Sequence, residues 1–325
     1  MRFYLRQKKR MTLNEFLEKE FPIAVALISF NTNLIVSPYA EQTVAKNPET
    51  CLRGSLYSKT RLLLEYYLLN NRAPKESFVE DMGVGEYRDP DAILSLACRD
   101  LNETMITEDH VIPLPKPKRI SAPLGGAIVG RRSVRDYSGD PIKLEDLSSI
   151  LYHADGISGK LPVTGIELES TIVGSNPEIK TRTAPSGGGL YPVDIYVIAI
   201  NVKNLEEGIY LYMPYSHSLK LIKRIKDGGF SEITYADIDT SKLGAMLVFV
   251  YNIYRNARKY GDAALAYALI EVGEISQNVH LSSISLGYGS CDIGAYYKHK
   301  IEKLLEIDGI FSHVVHVIFI GVERR

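Results

Sequence analysis

The chain predicts an α+β fold, on three observations. Val193 to Ile200, Ala245 to Tyr251 and Val314 to Val322 are short apolar runs rich in Val, Ile, Tyr and Phe, the pattern of buried strands. Ala263 to Leu286 is the longest helix candidate, apolar on most sides, and a helix that is apolar nearly all round must be buried. Pro113, Pro115, Pro117 and Pro123, interleaved with Lys116, Lys118 and Arg119, mark an extended connector that no helix can occupy.

Before the connector, Leu62 to Leu69 is apolar and tyrosine-rich and Asp91 to Cys98 reads as another helix, with polar sequence around Lys75 to Pro90 between them. Residues 1–108 are therefore expected to form a mostly helical N-terminal region, 109–123 the connector, and 124–325 the main domain. Within that domain Leu144, Leu147, Ile150, Leu151 and Ala154 recur at helical spacing and predict an amphipathic helix. In the long helix candidate, small residues at Gly273 and Ser276 would let another backbone approach closely. No internal repeat or low-complexity tract is visible.

Composition excludes several classes of partner. Thirty-eight Lys and Arg against 39 Asp and Glu leave a formal charge of -1, so no global basic field exists to hold nucleic acid. The basic opening Arg2, Arg6, Lys8, Lys9 and Arg10 is short enough to be a solvated end. The apolar run Phe21 to Phe30 falls well short of the ~20 residues that cross a bilayer, and Glu15, Glu18 and Glu20 ahead of it spoil a signal peptide. A cytoplasmic location without membrane contact is expected. Cys51, Cys98 and Cys291 lie far apart, which fits reduced, individually placed thiols.

The strongest local motif is Gly130-Arg131-Arg132-Ser133-Val134-Arg135-Asp136-Tyr137. Arginine forks meet phosphate oxygens in pairs and a serine hydroxyl adds a donor, so this is a candidate anion receptor; a solvated basic loop paired with acids is the alternative. Gly287-x-Gly289 follows a helix where a dinucleotide fingerprint would follow a strand, and no Gly-x-x-x-x-Gly-Lys phosphate loop is present. His313 and His316 sit in a strand pattern whose period of two puts them on opposite faces, which argues against a metal pair.

Further segments follow the arginine motif in a fixed order: Pro141 to Leu151 leading into His153-Ala154-Asp155-Gly156, then Arg182-Thr183-Ala184-Pro185-Ser186-Gly187-Gly188-Gly189-Leu190-Tyr191-Pro192, then Ile275-Ser276-Gln277-Asn278 with Leu286-Gly287-Tyr288-Gly289. Over residues 112 to 325 this resembles the FMN-dependent nitroreductase superfamily. Leu114-Pro115-Lys116-Pro117, the APSGGGLYP segment, and Gly208 to Tyr212 followed by His217-Ser218-Leu219 resemble its SagB-type branch, the azoline dehydrogenases that turn thiazolines and oxazolines in peptides into thiazoles and oxazoles.

The resemblance implies a mixed sheet wrapped by helices in an intertwined homodimer, with Ala263 to Leu286 as its central helix. It assigns Arg131, Arg132, Ser133 and Arg135 to the FMN phosphate and ribityl chain, with Arg324 or Arg325 as a further phosphate contact. Pro185, Ser186 and Gly187 match the loop that reaches the flavin from the other subunit. Three glycines suit a backbone lying against a flat ring, although a plain flexible loop has the same composition. Gly287, Tyr288 and Gly289 match the segment whose amides approach the flavin.

Lys259 and Tyr260 match the pair implicated in deprotonating the azoline, where a lysine near a phenol can lower its pKa or act as the base itself. The Asn and Trp of the ordinary Pro-Ser-x-x-Asn-x-Gln-Pro-Trp segment are missing, which weakens a simple nitroaromatic or quinone role. The implied activity is FMN-dependent azoline oxidation on a ribosomally made precursor peptide, with oxygen as final acceptor and a cyclodehydratase as partner. An NAD(P)H-dependent nitro or quinone reductase and a flavin-binding scaffold subunit are the alternatives.

Overall fold

The computed structural model describes residues 110–162, 178–225 and 230–324, together with Leu96 and Arg99. The expected helix at 62–69 and the N-terminal region as a whole lie outside the described residues, apart from Leu96 and Arg99, which are both helical. Arg325, Cys51 and Cys98 also lie outside them.

In chain order the elements begin with β1 (Val111–Pro113), α1 (Leu124–Gly130), β2 (Ile142–Lys143), α2 (Leu144–Asp155), β3 (Ile157–Pro162) and β4 (Glu178–Arg182). Then come β5 (Val193–Ala199), β6 (Val202–Lys203), β7 (Gly208–Met213), β8 (Ser218–Arg224) and β9 (Ala245–Asn252). The short α3 (Ala257–Tyr260), α4 (Ala263–Ser285), β10 (Gly289–Ile293), α5 (Lys298–Leu305) and β11 (Ser312–Gly321) complete the order.

Seven strands form one sheet in the order β1-β8-β7-β5-β9-β11-β10. All its strand pairings are antiparallel, and the parallel pairing among the described residues is limited to the two-residue ladder of β2 with β6 and the single bridge of Ser133 with Ser290. Strand β9 lies inside the sheet. Its Ala245, Leu247 and Phe249 join the core on one face, and Met246, Val248 and Val250 join the core on the other. A strand covered on both sides has no polar face to keep, which is why it reads as an unbroken apolar run. The first core is roofed by Leu147, Ile150 and Leu151 of α2 and Val272, Ile275 and Val279 of α4. The second is closed by Ile301 and Leu305 of α5 with Phe230, Ile233, Val134 and Tyr137.

The Pro-rich stretch is extended, as its composition demands, and it is also stitched to the domain. Its start is the edge strand β1 on β8. Ser148 Oγ donates to the Pro115 carbonyl, the Lys118 amide donates to Ser149 Oγ, and Lys118 Nζ pairs with Asp146. Polar residues of α2 thus satisfy a segment whose prolines have no N–H to donate.

Helix α4 departs from its expected burial. Ala264, Ala268, Val272, Ile275 and Val279 are buried, whereas Leu269 is 48% and Ile270 58% exposed on the other side. Gly273 lies on that open side, with nothing within 4 Å of where its Cβ would be. Ser276 faces inward and donates to Asp292 Oδ1. One chain covers only one face of an all-round apolar helix. Among the described residues no helix is long and apolar enough to cross a membrane.

Candidate functional site

Two clusters of sequence-predicted residues assemble, one near each end of α4. At its C-terminal end, Ser133 bridges Ser290 and the Val134 amide donates to the Ser290 carbonyl at 3.1 Å. The approach is tight enough that a Cβ on Gly289 would sit 2.7 Å from Val134. Arg324 joins from the end of the sheet, its amide on the Asp136 carbonyl at 3.1 Å and its Nε 3.5 Å from Asp136 Oδ1. Arg131, Arg132, Ser133, Arg135, Gly287, Tyr288, Gly289 and Arg324 are therefore neighbours.

The solvated-loop alternative required acidic partners for the arginines. Arg132 instead donates to the Val129 and Arg131 carbonyls at 2.8 Å and Arg135 to the Ser133 carbonyl at 3.4 Å, and none of Arg131, Arg132 and Arg135 enters an ion pair among the described residues. Three guanidinium groups without counter-charge, beside a serine hydroxyl, form the donor set that a phosphate group fits.

Gly287 has φ +87, and its amide donates to Ile284 while that of Tyr288 donates to Ser283. This pair of bonds closes the helix in a Schellman motif, for which a glycine in the left-handed region is the natural residue. Those two amides are committed to the helix end. The Tyr288 hydroxyl donates to Asp146 Oδ2 at 2.7 Å; burial first and that carboxylate second push its pKa up to about 12.

At the N-terminal end of α4 the glycine loop meets the Lys-Tyr pair. Gly188 has φ +63, and a Cβ there would lie 2.5 Å from Tyr260 Oη and 2.6 Å from Lys259 Nζ. Gly187 packs on Tyr260 and Tyr267, whose rings meet edge to face at 4.9 Å. Lys259 Nζ stands 5.3 Å from the Tyr260 ring centre, and burial lowers its pKa. Gly188 is the loop position where no side chain fits, Gly187 makes ordinary contact, and Gly189 has nothing within 4 Å of where its Cβ would be.

Behind the loop lies a buried polar cluster that the sequence analysis assigned no role. Arg182 and Asp155 pair at 2.6 Å with side chains 6% and 3% exposed. Burial raises Asp155 to about 6 even with Arg182 beside it, while at Arg182 burial is the largest single influence, yet Asp155, Tyr215 and Asp194 together outweigh it and keep it firmly protonated. Arg182 also stacks on Tyr191, 4.6 Å from its ring centre. Arg255 clamps Asp194 through two nitrogens, at 2.5 and 2.8 Å. Arg99 reaches in from the N-terminal region, its Nη1 donating to the Gly189 and Leu190 carbonyls at 2.9 and 2.7 Å. Glu271 is 2% exposed. A lone acid among Ala264, Ala268, Val272 and Ile275, at core spacing on α4, was the signal for it; Arg99 left none.

A further cluster sits at the sheet edge. Asp292 accepts from Ser276 and lies 2.9 Å from His280 Nε2 and 2.7 Å from His316 Nε2. Against burial, the two imidazoles hold its carboxyl well below the usual carboxylate range. A β-bulge between Val314 and His316 interrupts the expected alternation, so His313, opposite Tyr251, and His316, opposite Phe249, fall on the same side of the sheet; His313 nevertheless turns elsewhere, to the Ile310 carbonyl and Lys298. Among the described residues no group of His, Cys, Asp or Glu could hold a metal ion. Cys291 is free and buried.

The loop and arginine clusters do not meet within one chain. Gly187 contacts Tyr267, and a Cβ on Gly130 would lie 3.3 Å from Ile284. Those two helix positions are roughly 25 Å apart at 1.5 Å per residue.

Comparison with known proteins bears on the family and the fold. A nitroreductase-type protein of Methanocaldococcus jannaschii is 34% identical over 199 residues, spanning 60% of this chain and 89% of the relative. The microcin B17-processing protein McbC of Escherichia coli is 26% identical over 161 residues, 46% of this chain and 58% of its own. The crystal structure of a nitroreductase-type protein from Ralstonia eutropha superposes with a TM-score of 0.52 at 24% identity, covering 67% of this chain and 92% of that one. The nitroreductase family profile matches residues 128–322, which include the arginine cluster except Arg324, the glycine loop, Lys259 and Tyr260 and most of the sheet, and the chain belongs to that family.

Proposed function

We propose that the protein is an FMN-dependent azoline dehydrogenase of the SagB type, acting on a modified precursor peptide. The observation that carries the reading is the contact of Gly188 with both Lys259 and Tyr260, which puts a candidate base against the glycine loop. Similarity to a microcin B17-processing protein supports a peptide as substrate.

The protein works as a homodimer, with the arginine cluster of one copy completed by the glycine loop of the other. Two features support this: the clusters are too far apart in one chain for one ligand, and the apolar side of α4 at Leu265, Leu269 and Ile270 is open. Arg131, Arg132, Ser133, Arg135 and Arg324 hold the FMN phosphate end.

Aromatising an azoline removes a proton from one ring carbon and a hydride from its neighbour. FMN, when bound, supplies the hydride acceptor. Lys259, its pKa lowered by burial, carries more neutral amine than a solvated lysine and takes the proton at Nζ. Tyr260 Oη lies against the same point of the loop and orients the ring. Arg99 fixes the loop from behind through two carbonyls, and residues 1–108 serve peptide or cyclodehydratase recognition.

The test is turnover by the FMN-loaded protein on a synthetic thiazoline peptide, followed as loss of two hydrogens by mass. Conversion to the thiazole with oxygen as acceptor is expected. Rapid NADPH oxidation with a quinone and no azoline conversion would transfer the case to a reductase, the reading favoured by the coverage of the archaeal relative. Neither activity would leave the flavin-binding scaffold.

A further inference from the structure

Glu271 lies under the glycine loop on the inner face of α4, 2% exposed. It faces the Ser186 hydroxyl and the Val193 amide, with Asp155 of α2 and Arg182 of β4 as the nearest charges. Those two charges neutralise each other at 2.6 Å, and the next pair outward, Asp194 with Arg255, is likewise closed. Arg182, the cation that acts on Glu271, is thus already engaged. Its Oε1 is buried with no hydrogen-bond partner. An unpartnered oxygen is tolerable on a neutral carboxylic acid and far costlier on a carboxylate.

The loop side of this contact is under strain. Tyr191 leaves the loop with φ +46, a conformation that a bulky residue rarely adopts, and its amide is held by Ser186 Oγ at 2.8 Å. Ser186 therefore links the acid below to the strained residue above.

We propose that Glu271, as a neutral acid, is a positioning residue that latches Ser186 and so holds the Pro185–Gly189 loop against Lys259 and Tyr260. Loss of its proton calls water to the buried oxygen, which requires the covering loop to lift. Burial, with a smaller push from Asp155, raises its pKa to about 8, against the opposing pull of Ser186, Arg182 and Val193, so the latch is shut at neutral pH and opens in the alkaline range. The role assigned to the loop in catalysis rests on the azoline dehydrogenase reading; the latch itself does not.

The experiment is amide hydrogen exchange of residues 184–191 in the full chain, corrected for intrinsic rates, at pH 7 and pH 9.5. Wild type should lose protection by about tenfold or more over this interval. Glu271→Gln keeps a neutral hydrogen-bonding group together with Lys259 and Tyr260, so its loop should stay protected at both values. Ser186→Ala removes the link from the other side and should show the unprotected loop already at pH 7. Equal losses in wild type and the Gln variant, or full protection in Ser186→Ala, would overturn the latch. If Glu271→Gln does not fold, an infrared band of a protonated buried carboxyl at pH 7 that vanishes in step with loop protection supports the proposal, and loop opening without that change rejects it. Because exchange needs no substrate, a protein inert on azoline peptides would sink the azoline reading while leaving this result intact.

Discussion

Gly188 and Tyr260, 72 positions apart in the chain, are so closely apposed that the smallest side chain at 188 would lie 2.5 Å from the tyrosine hydroxyl. Gly188→Ala must therefore move the loop, the tyrosine or Lys259, and its φ of +63 adds backbone strain of about 1 kcal/mol. Azoline oxidation should fall at least tenfold through kcat, while the arginine contacts to the flavin phosphate, which the substitution does not touch, still allow FMN to bind. Wild-type kcat in a correctly folded Ala variant would show that the apposition has no part in chemistry.

Replacing Arg131 and Arg132 together by Ala removes charge-assisted bonds worth about 1.5 to 3 kcal/mol each, roughly tenfold or more in flavin affinity per arginine. The double variant should purify colourless. Because these side chains make no ion pair among the described residues, melting temperature without FMN should barely change. A yellow double variant with full flavin would disprove the assignment.

Lys259→Ala and Tyr260→Phe should leave the protein yellow and dimeric while azole formation drops by about 10² to 10⁴, the usual worth of a positioned base. The two act as a unit, so the double variant should be little worse than the poorer single one. Reduction of the flavin by dithionite is the control and should be normal in all three. Unchanged azoline rates in both single variants would remove the pair from the mechanism.

Arg182→Met leaves Asp155 buried without its partner, and breaking one side of a buried pair costs about 3 to 5 kcal/mol. Arg182→Met with Asp155→Asn should recover part of that loss, since no uncompensated charge then remains. Urea denaturation of the wild type, both single variants and the double variant measures the coupling. Additive effects would mean that the 2.6 Å contact contributes nothing of its own.

The pH dependence of stability follows from Glu271 and Asp155, both raised above their ordinary values, to about 8 and about 6. Between the unfolded and folded pKa values the folded chain holds protons that the unfolded chain has released, so the contribution of these two acids to stability is full below about pH 4 and declines as pH rises through 6 and then 8. Glu271→Gln should remove the upper part of that decline. Chemical denaturation from pH 5 to 9 checks the sign, and a wild-type stability that rises over this range would contradict the buried neutral acid.

Local pattern was enough for the elements that repeat a period over several residues. The apolar run at Ala245 to Tyr251 marks the strand inside the sheet, Leu144, Leu147, Ile150, Leu151 and Ala154 all turn inward on α2, and α4 ends one residue from its expected limit. Five guanidinium, glycine and hydroxyl groups of the arginine cluster were legible for the same reason, since Gly130 to Arg135 is a single short segment. Tertiary structure alone decided that Gly188 touches Lys259, that Arg99 crosses 90 positions to the Gly189 carbonyl, and that the outer side of α4 stays open. Periodicity reports how a side chain is oriented on its own element, whereas which elements face each other depends on chain path and sheet order. An acid such as Glu271 can be seen in the sequence as an exception to the apolar stripe, but whether it is charged depends on what packs over it, and only the folded chain brings Ser186 there.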